Sequence, residues 1–269
     1  MRDKENKKKS GIMDWIYRLI MLILIGVMLF SGYKIISIQM EYREGTKAYE
    51  ELASEIDKSI KKAGAKEPSY LNIDWEKLAA SNTSGIDVKH YAWIRLKGTE
   101  LNYPIVQTYD NDSFLRHMLN GEYNIKGTIF VDYRVEVPFV DFKTVVYGHN
   151  MKDGTMFTHV QKYVENEGYF AQHKTLELYT PEQNYDMVVF GGMQVNAFDK
   201  TVYDLYFPDG EDYLRTDMID WIKSNNQIPG FSENIEVTAS DKIVVLSTCT
   251  NVGEDDRYVI FCKLVPVKR

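Results

Sequence analysis

Beyond Gly85 the sequence breaks into short runs rich in β-branched and aromatic residues, at positions 91–96, 103–107, 128–133, 144–147, 175–180, 185–195, 235–239, 242–248 and 257–265. Such residues suit the pleated, half-buried surface of a sheet. Lys97-Gly98, Lys126-Gly127 and Pro181-Glu182 punctuate the runs as turns. Because no regular helices alternate with the runs, an antiparallel barrel or sandwich is predicted, not a parallel α/β sheet. Two helical stretches interrupt the pattern. Residues 155–173 carry Met156, Phe157, Val160, Tyr163 and Val164 at helical spacing, and residues 211–224 carry Tyr213, Leu214, Met218, Trp221 and Ile222. Both stripes are predicted to pack against the sheet. With 269 residues, 44% of them hydrophobic, the chain can bury a sizeable core.

The first forty residues have a different chemistry. They hold seven Lys/Arg against three Asp/Glu, a net charge of +4, so the remainder of a chain of net charge −7 carries −7 − 4 = −11. A body that acidic does not suit the phosphates of nucleic acid. The uncharged stretch from Leu19 to Tyr33 is 15 residues, about 22 Å as a helix and short of a hydrocarbon core of roughly 30 Å. From Trp15 to Ile38, with Arg18 and Lys34 snorkelling to opposite headgroup layers, the length becomes about 36 Å, which spans. A transmembrane anchor is predicted over 13–38, with the basic tail 1–12 in the cytoplasm and the acidic body outside. A cleaved signal peptide is the alternative, but no clear A-x-A-like site follows the apolar stretch. Residues 41–66 have Leu52, Ile56 and Ile60 at helical spacing and are predicted as a stalk or packing helix. Glu67-Pro68-Ser69 ends it, and 73–80 is one more short helical piece. The predicted divisions are thus 1–12, 13–38, a helical stalk over 39–85, and a β-domain over 86–269.

The chain has two cysteines. If 244–249 and 257–264 pair as a symmetric antiparallel hairpin, Cys249 lies opposite Arg257 and Cys262 opposite Val244. The cysteines are then five strand positions apart, about 16 Å, whereas a disulfide needs Cα atoms within about 7 Å. Both are predicted to be free. Cys249, at the mouth of the run VVLSTCT, has Arg257 beside it across the ladder. A guanidinium there can hold a substrate carbonyl or an oxyanion; a surface salt bridge with Glu254, Asp255 or Asp256 is the other reading of the same spacing. A reactive cysteine also needs a proton-transfer partner. Of five histidines, His90, His117, His159 and His173 lie in polar or helical contexts and are predicted to be surface residues. His149 follows the apolar run TVVYG, just past a glycine that lets the backbone turn, and is the candidate acid/base. No H-E-x-x-H, C-x-x-C, P-loop or G-x-G-x-x-G is present, so no metal or nucleotide cofactor is predicted.

LSTC at a strand end, the arginine of DRYVIFCKL eight positions later, and YGHN about a hundred residues upstream resemble the Cys, Arg and His pattern of sortases. TVVYGHNM, YPIVQTYDNDSFLRHML, GTIFVDYR and the insert with the 211–224 helix are similar to class B sortases in particular, over roughly residues 86–267. The resemblance implies a mainly β fold, a closed eight-stranded barrel with N-terminal helices and an inserted helix before the penultimate strand. It also implies a membrane-anchored transpeptidase of Gram-positive bacteria that acts outside the cell. Cys249 would attack a C-terminal sorting signal after its threonine, His149 would move the protons, and Arg257 would position the signal and its oxyanion. Ser247 and Asn111 match positions that line the class B groove. The implied partners are secreted proteins with an NPxTx-like or PxTG-like signal and a peptidoglycan amine. The residues alone also admit an extracytoplasmic thiol protease or a non-catalytic, membrane-tethered peptide-binding β-domain. Unshifted pKa values near 8.5 for cysteine and 6.5 for histidine imply a mostly neutral Cys249–His149 pair.

Overall fold

The computed structural model describes residues 2–57, 70–207, 211–249 and 255–267, with residues 2–12 and 249 described by backbone alone. The chain divides into two units, Met1–Glu44 and Gly45–Arg269. The first unit consists of the greater part of helix α1 (Arg2–Ile56). Its apolar side chains, among them Leu22, Met28 and Leu29, are exposed. Among the described residues this is the one helix long and apolar enough to cross a membrane, a character that a signal sequence shares.

The second unit begins with the last turns of α1. Ala53 and Ile56 pack there in a cluster with Leu71, Ile73, Leu78 and Trp93, so this part of the predicted stalk is a packing helix. Tyr49 is buried, and its hydroxyl is hydrogen-bonded to the Gly127 carbonyl and to Thr128 Oγ1. Ile60 and the predicted break at 67–69 lie outside the described residues. The short helix expected over 73–80 is α2 (Trp75–Ala80), capped by the Asp74 carboxylate accepting from Lys77 N.

Eight strands follow: β1 (His90–Arg95), β2 (Asn102–Gln107), β3 (Ile129–Val131), β4 (Lys143–Tyr147), β5 (Thr175–Tyr179), β6 (Asn184–Asn196), β7 (Ile243–Cys249) and β8 (Asp256–Val267). They close into a barrel in the order β1-β2-β3-β4-β7-β8-β6-β5. The closed eight-stranded barrel is therefore as expected, but pairing is not antiparallel throughout. β2 pairs β3 and β4 pairs β7 in parallel. A parallel neighbour needs a long crossover, and the β4–β7 crossover contains β5, β6 and four helices. These are α3 (Thr158–Glu165), α4 (Tyr169–Gln172), α5 (Lys200–Tyr203) and α6 (Asp212–Ser224).

Three local expectations are corrected. The run at 235–239 is not a strand; the barrel is already closed, and Ile235 and Val237 instead pack onto its outer cluster with Met218, Ile219 and Ile222 of α6. The single helix predicted over 155–173 is two, interrupted at 166–168. In α6 the inserted helix lies before the penultimate strand as expected, but Tyr213 points away from the packing face and is 60% exposed.

Candidate active site

The β4/β7 register aligns Tyr147 with Ser247, and Gly148 N extends the ladder by donating to Ser247 O at 3.2 Å. Two residues further along these parallel strands, His149 and Cys249 emerge level with each other at one rim of the barrel. On the other side of β7, the antiparallel register pairs Cys249 with Arg257 and Val244 with Cys262, as the symmetric hairpin predicts. The two cysteines are thus five ladder positions apart, about 16 Å along the strand, beyond disulfide reach. Cys262 is a free, fully buried thiol whose pKa is raised by that burial.

A groove of about 200 Å³ opens at this rim, and Asn111, His149, Ser247 and Arg257 all line it, together with Leu115, Tyr147 and Thr248. Each side chain that the sequence singles out, Cys249 apart, is therefore seen in one concavity, and Cys249 is placed by its backbone opposite Arg257. The other histidines do not enter the groove. His159 departs from its expected surface position: it is 2% exposed, with Nδ1 2.5 Å from the Tyr169 hydroxyl. Burial pushes its pKa down to about 4, with the Lys162 charge adding to the shift.

His149 is held from the loop after β2. Its Nε2 lies 2.7 Å from the Leu115 carbonyl oxygen, so Nε2 carries the proton and Nδ1 is left for other partners. Burial lowers the imidazole pKa below its ordinary value; the carbonyl opposes the shift and the nearby Arg116 charge adds to it. Gly148 does not take a left-handed conformation. It is required because a Cβ there would lie 2.7 Å from the Phe157 ring. Gly127 is left-handed at φ +55, and its missing Cβ lets the Leu115 carbonyl approach; a Cβ would stand 2.4 Å from that oxygen. The segment after His149 is fastened by the fully buried Lys126, whose Nζ is 2.6 Å from Asp153 Oδ2 and 2.5 Å from Thr155 Oγ1.

The groove floor is a polar network that sequence reasoning does not reach. Ser247 is buried, and its Oγ lies 2.9 Å from the Tyr203 hydroxyl. Tyr147 stacks against Tyr203 and donates to Asp132 Oδ2 at 2.9 Å, and Arg134 grips the same carboxylate in bidentate fashion at 2.9 and 2.7 Å. Burial opposes ionisation of Asp132, but the hydrogen bonds from Arg134 and Tyr147 hold it below the usual carboxylate range. Asn111 uses its Oδ1 to accept from Tyr133 N at 3.0 Å, fixing its orientation. Arg257 Nη1 donates to the Asp256 carbonyl at 2.8 Å, while the Asp256 carboxylate accepts from Gln194. Glu254 lies outside the described residues, and no group of metal-ligating side chains occurs among the described ones. Tyr147 stands inside YGHN, but Tyr203 and the Leu115 carbonyl come from distant connections with no local signature.

The chemistry this rim can perform is nucleophilic acyl transfer, with an imidazole and a guanidinium beside a strand-end cysteine. Comparison with known proteins agrees. A sortase domain model matches residues 94–265. Sortase B of Listeria monocytogenes is 32% identical over 248 residues, covering 91% of this chain and 94% of that protein. The Staphylococcus aureus sortase B–substrate complex superposes with a TM-score of 0.67 at 25% identity, over 85% of this chain and all of that one. A sortase B complexed with triglycine gives a TM-score of 0.62 at 28% identity, over 72% of this chain and 86% of that one.

Proposed function

Since the chain belongs to the sortase family, and within it to class B, and is a cysteine transpeptidase, we propose that it cleaves a C-terminal sorting signal of secreted proteins after threonine and joins the new carboxyl end to a peptidoglycan amine. The observation that carries this reading is the shared groove: His149, Arg257, Ser247 and Asn111 line one concavity, at the strand end that holds the Cys249 backbone. Ligands named for two similar sortase B structures, a substrate in one and triglycine in the other, favour a peptide donor and an amine acceptor.

In the first step His149 Nδ1 takes the thiol proton and the Cys249 sulfur attacks the carbonyl that follows the signal's threonine side chain. Arg257 holds the oxyanion that develops on that carbonyl oxygen. The imidazolium returns the proton to the departing amine, the peptide C–N bond breaks, and a thioester remains on Cys249. An incoming amine then attacks the thioester, His149 accepts its proton, and the sulfur leaves as the new amide forms. Ser247 and Asn111 contact the signal's backbone or polar side chains. A neutral imidazole, favoured by burial, is ready to accept the thiol proton, but it leaves only a minority of the pair as thiolate and imidazolium, so turnover is slow.

The arrangement along the chain completes the proposal. Residues 1–12 form a cytoplasmic basic tail, 13–38 a single-pass anchor, 39–85 the helical stalk, and 86–269 the catalytic domain on the outer face, where secreted substrates and wall precursors meet. The test is a panel of NPxTx-like and PxTG-like peptides incubated with triglycine. A ligated product that disappears in Cys249→Ala supports the proposal. Hydrolysis with no ligation at any amine concentration identifies a thiol protease, and peptide binding that survives Cys249→Ala without any turnover identifies a tethered binding domain.

A further inference from the structure

Toward the start of β4 and β7, away from the groove rim, a cavity of about 670 Å³ is lined by Arg134, Lys143, Arg215 and Lys242 together with Phe142 and Phe207. Lys143 opens β4 and Lys242 immediately precedes β7, so the cavity lies some six residues, about 20 Å, along these strands from His149. Lys143 is 3% exposed, and its Nζ donates to Thr201 O at 3.0 Å and stands 4.8 Å from the centre of the Phe207 ring. A buried ammonium ordinarily has a carboxylate partner. Among the described residues Lys143 has none within ion-pair distance, and the more distant Asp204 and Asp199 act on it only through space. Lys242 likewise makes no ion pair among the described residues. The other charges at the cavity are answered: Arg134 by Asp132, Arg215 by Asp212 at 3.6 Å, and Asp141 by Val137 N at 2.9 Å, while Glu136 is exposed. Burial pushes the Lys143 pKa down to about 7; the Arg134 charge adds to the shift, and Asp204 and Asp199 oppose it. The cavity therefore offers two lysines that make no ion pair among the described residues, beside an aromatic wall, in a body whose net charge is otherwise acidic.

We propose that this cavity is a binding site for a phosphate ester, with the phosphate held between Lys143 and Lys242 and the organic part of the ester against Phe142 and Phe207. A phosphate has the charge to engage two lysines at once, and the cavity's volume is in the range of small-molecule sites. A soluble phosphate ester and a phospholipid headgroup share this chemistry, so the experiment separates them.

The full chain in nonionic-detergent micelles is titrated with sn-glycerol 3-phosphate by calorimetry, and in parallel its lysines are acetylated with a limiting reagent and mapped by mass spectrometry. Saturable binding is expected, at least tenfold weaker in Lys143→Met and several-fold weaker in Lys242→Met. In the wild-type chain, which needs no variant to fold, Lys143 acetylation is expected to fall in step with ligand, whereas sodium chloride at equal ionic strength leaves it unchanged. Protection by phosphatidylglycerol doped into the micelles, but not by the soluble ester, supports the site with a lipid headgroup as its ligand. Protection by neither, equal protection by chloride, or undiminished binding by a folded Lys143→Met overturns the proposal.

Discussion

The Nε2 atom of His149 lies 2.7 Å from the carbonyl oxygen of Leu115, so the proton of the candidate acid/base is fixed by the loop that follows β2. Burial, and after it the charge of Arg116, lowers the imidazole pKa despite that carbonyl. A histidine-labelled sample titrated by NMR is expected to show His149 changing below the ordinary value near 6.5, and Arg116→Gln should raise the midpoint. A midpoint at or above 6.5 in the wild-type chain contradicts the burial argument.

Gly127→Ala tests whether the loop positions the imidazole. The new methyl would meet the carbonyl oxygens of Leu115 and Phe114 at 2.4 and 2.5 Å, on a backbone already left-handed. The left-handed conformation alone costs alanine about 1–2 kcal/mol, and displacement of the Leu115 carbonyl releases His149. Thermal unfolding should fall by several degrees, and peptide cleavage should fall more than peptide binding. Unchanged cleavage in a folded variant would show that the Leu115 contact is dispensable.

Arg257→Ala is expected to lower kcat/KM by about 10²–10³-fold, the usual effect of removing one oxyanion donor. Arg257→Lys should recover little of this, because an ammonium lacks the planar fork. Steady-state kinetics on the preferred peptide decide the matter; full activity in the lysine variant would reduce Arg257 to a simple charge.

His159 gives the fold a pH dependence of predictable sign. Its folded pKa is depressed to about 4 from 6.5, so the neutral form is favoured in the folded state. Its contribution is fully present above pH 6.5 and is lost as the pH falls from there through about 4. The difference amounts to about 2–3 kcal/mol. Guanidinium unfolding midpoints at pH 7 and pH 4 should therefore differ more in the wild-type chain than in His159→Phe, whatever the variant's absolute stability. Equal differences would assign the acid sensitivity elsewhere.

Much of this was open to reading in the amino-acid order. Runs such as TVVYG and VVLSTC have only one way to bury their β-branched residues, and the hairpin that sets Cys249 opposite Arg257 follows from counting residues across a short connection. The direction of β4 against β7 was not open in this way, because parallel or antiparallel pairing with a distant strand leaves no mark on either. Residues 235–239 have strand composition, yet a closed barrel has no edge left to pair them. The burial of His159 is not legible in its own helix, because it depends on Tyr169 and on packing from elsewhere. Tyr203 reaches Ser247 from a four-residue helix in the crossover, where nothing in the sequence indicates a groove.

The parallel pairing of β4 with β7 also sets when the groove can come into being. His149 follows β4 and Cys249 ends the neighbouring β7, one hundred positions apart, 149 to 249, and everything from α3 to α6 must be traversed before the second strand exists to be docked. Contacts between such remote segments form late. A chain made only as far as residue 239 thus has His149 without the strand that carries Cys249, and the proposed reactivity arrives only once β7 and β8 have been made.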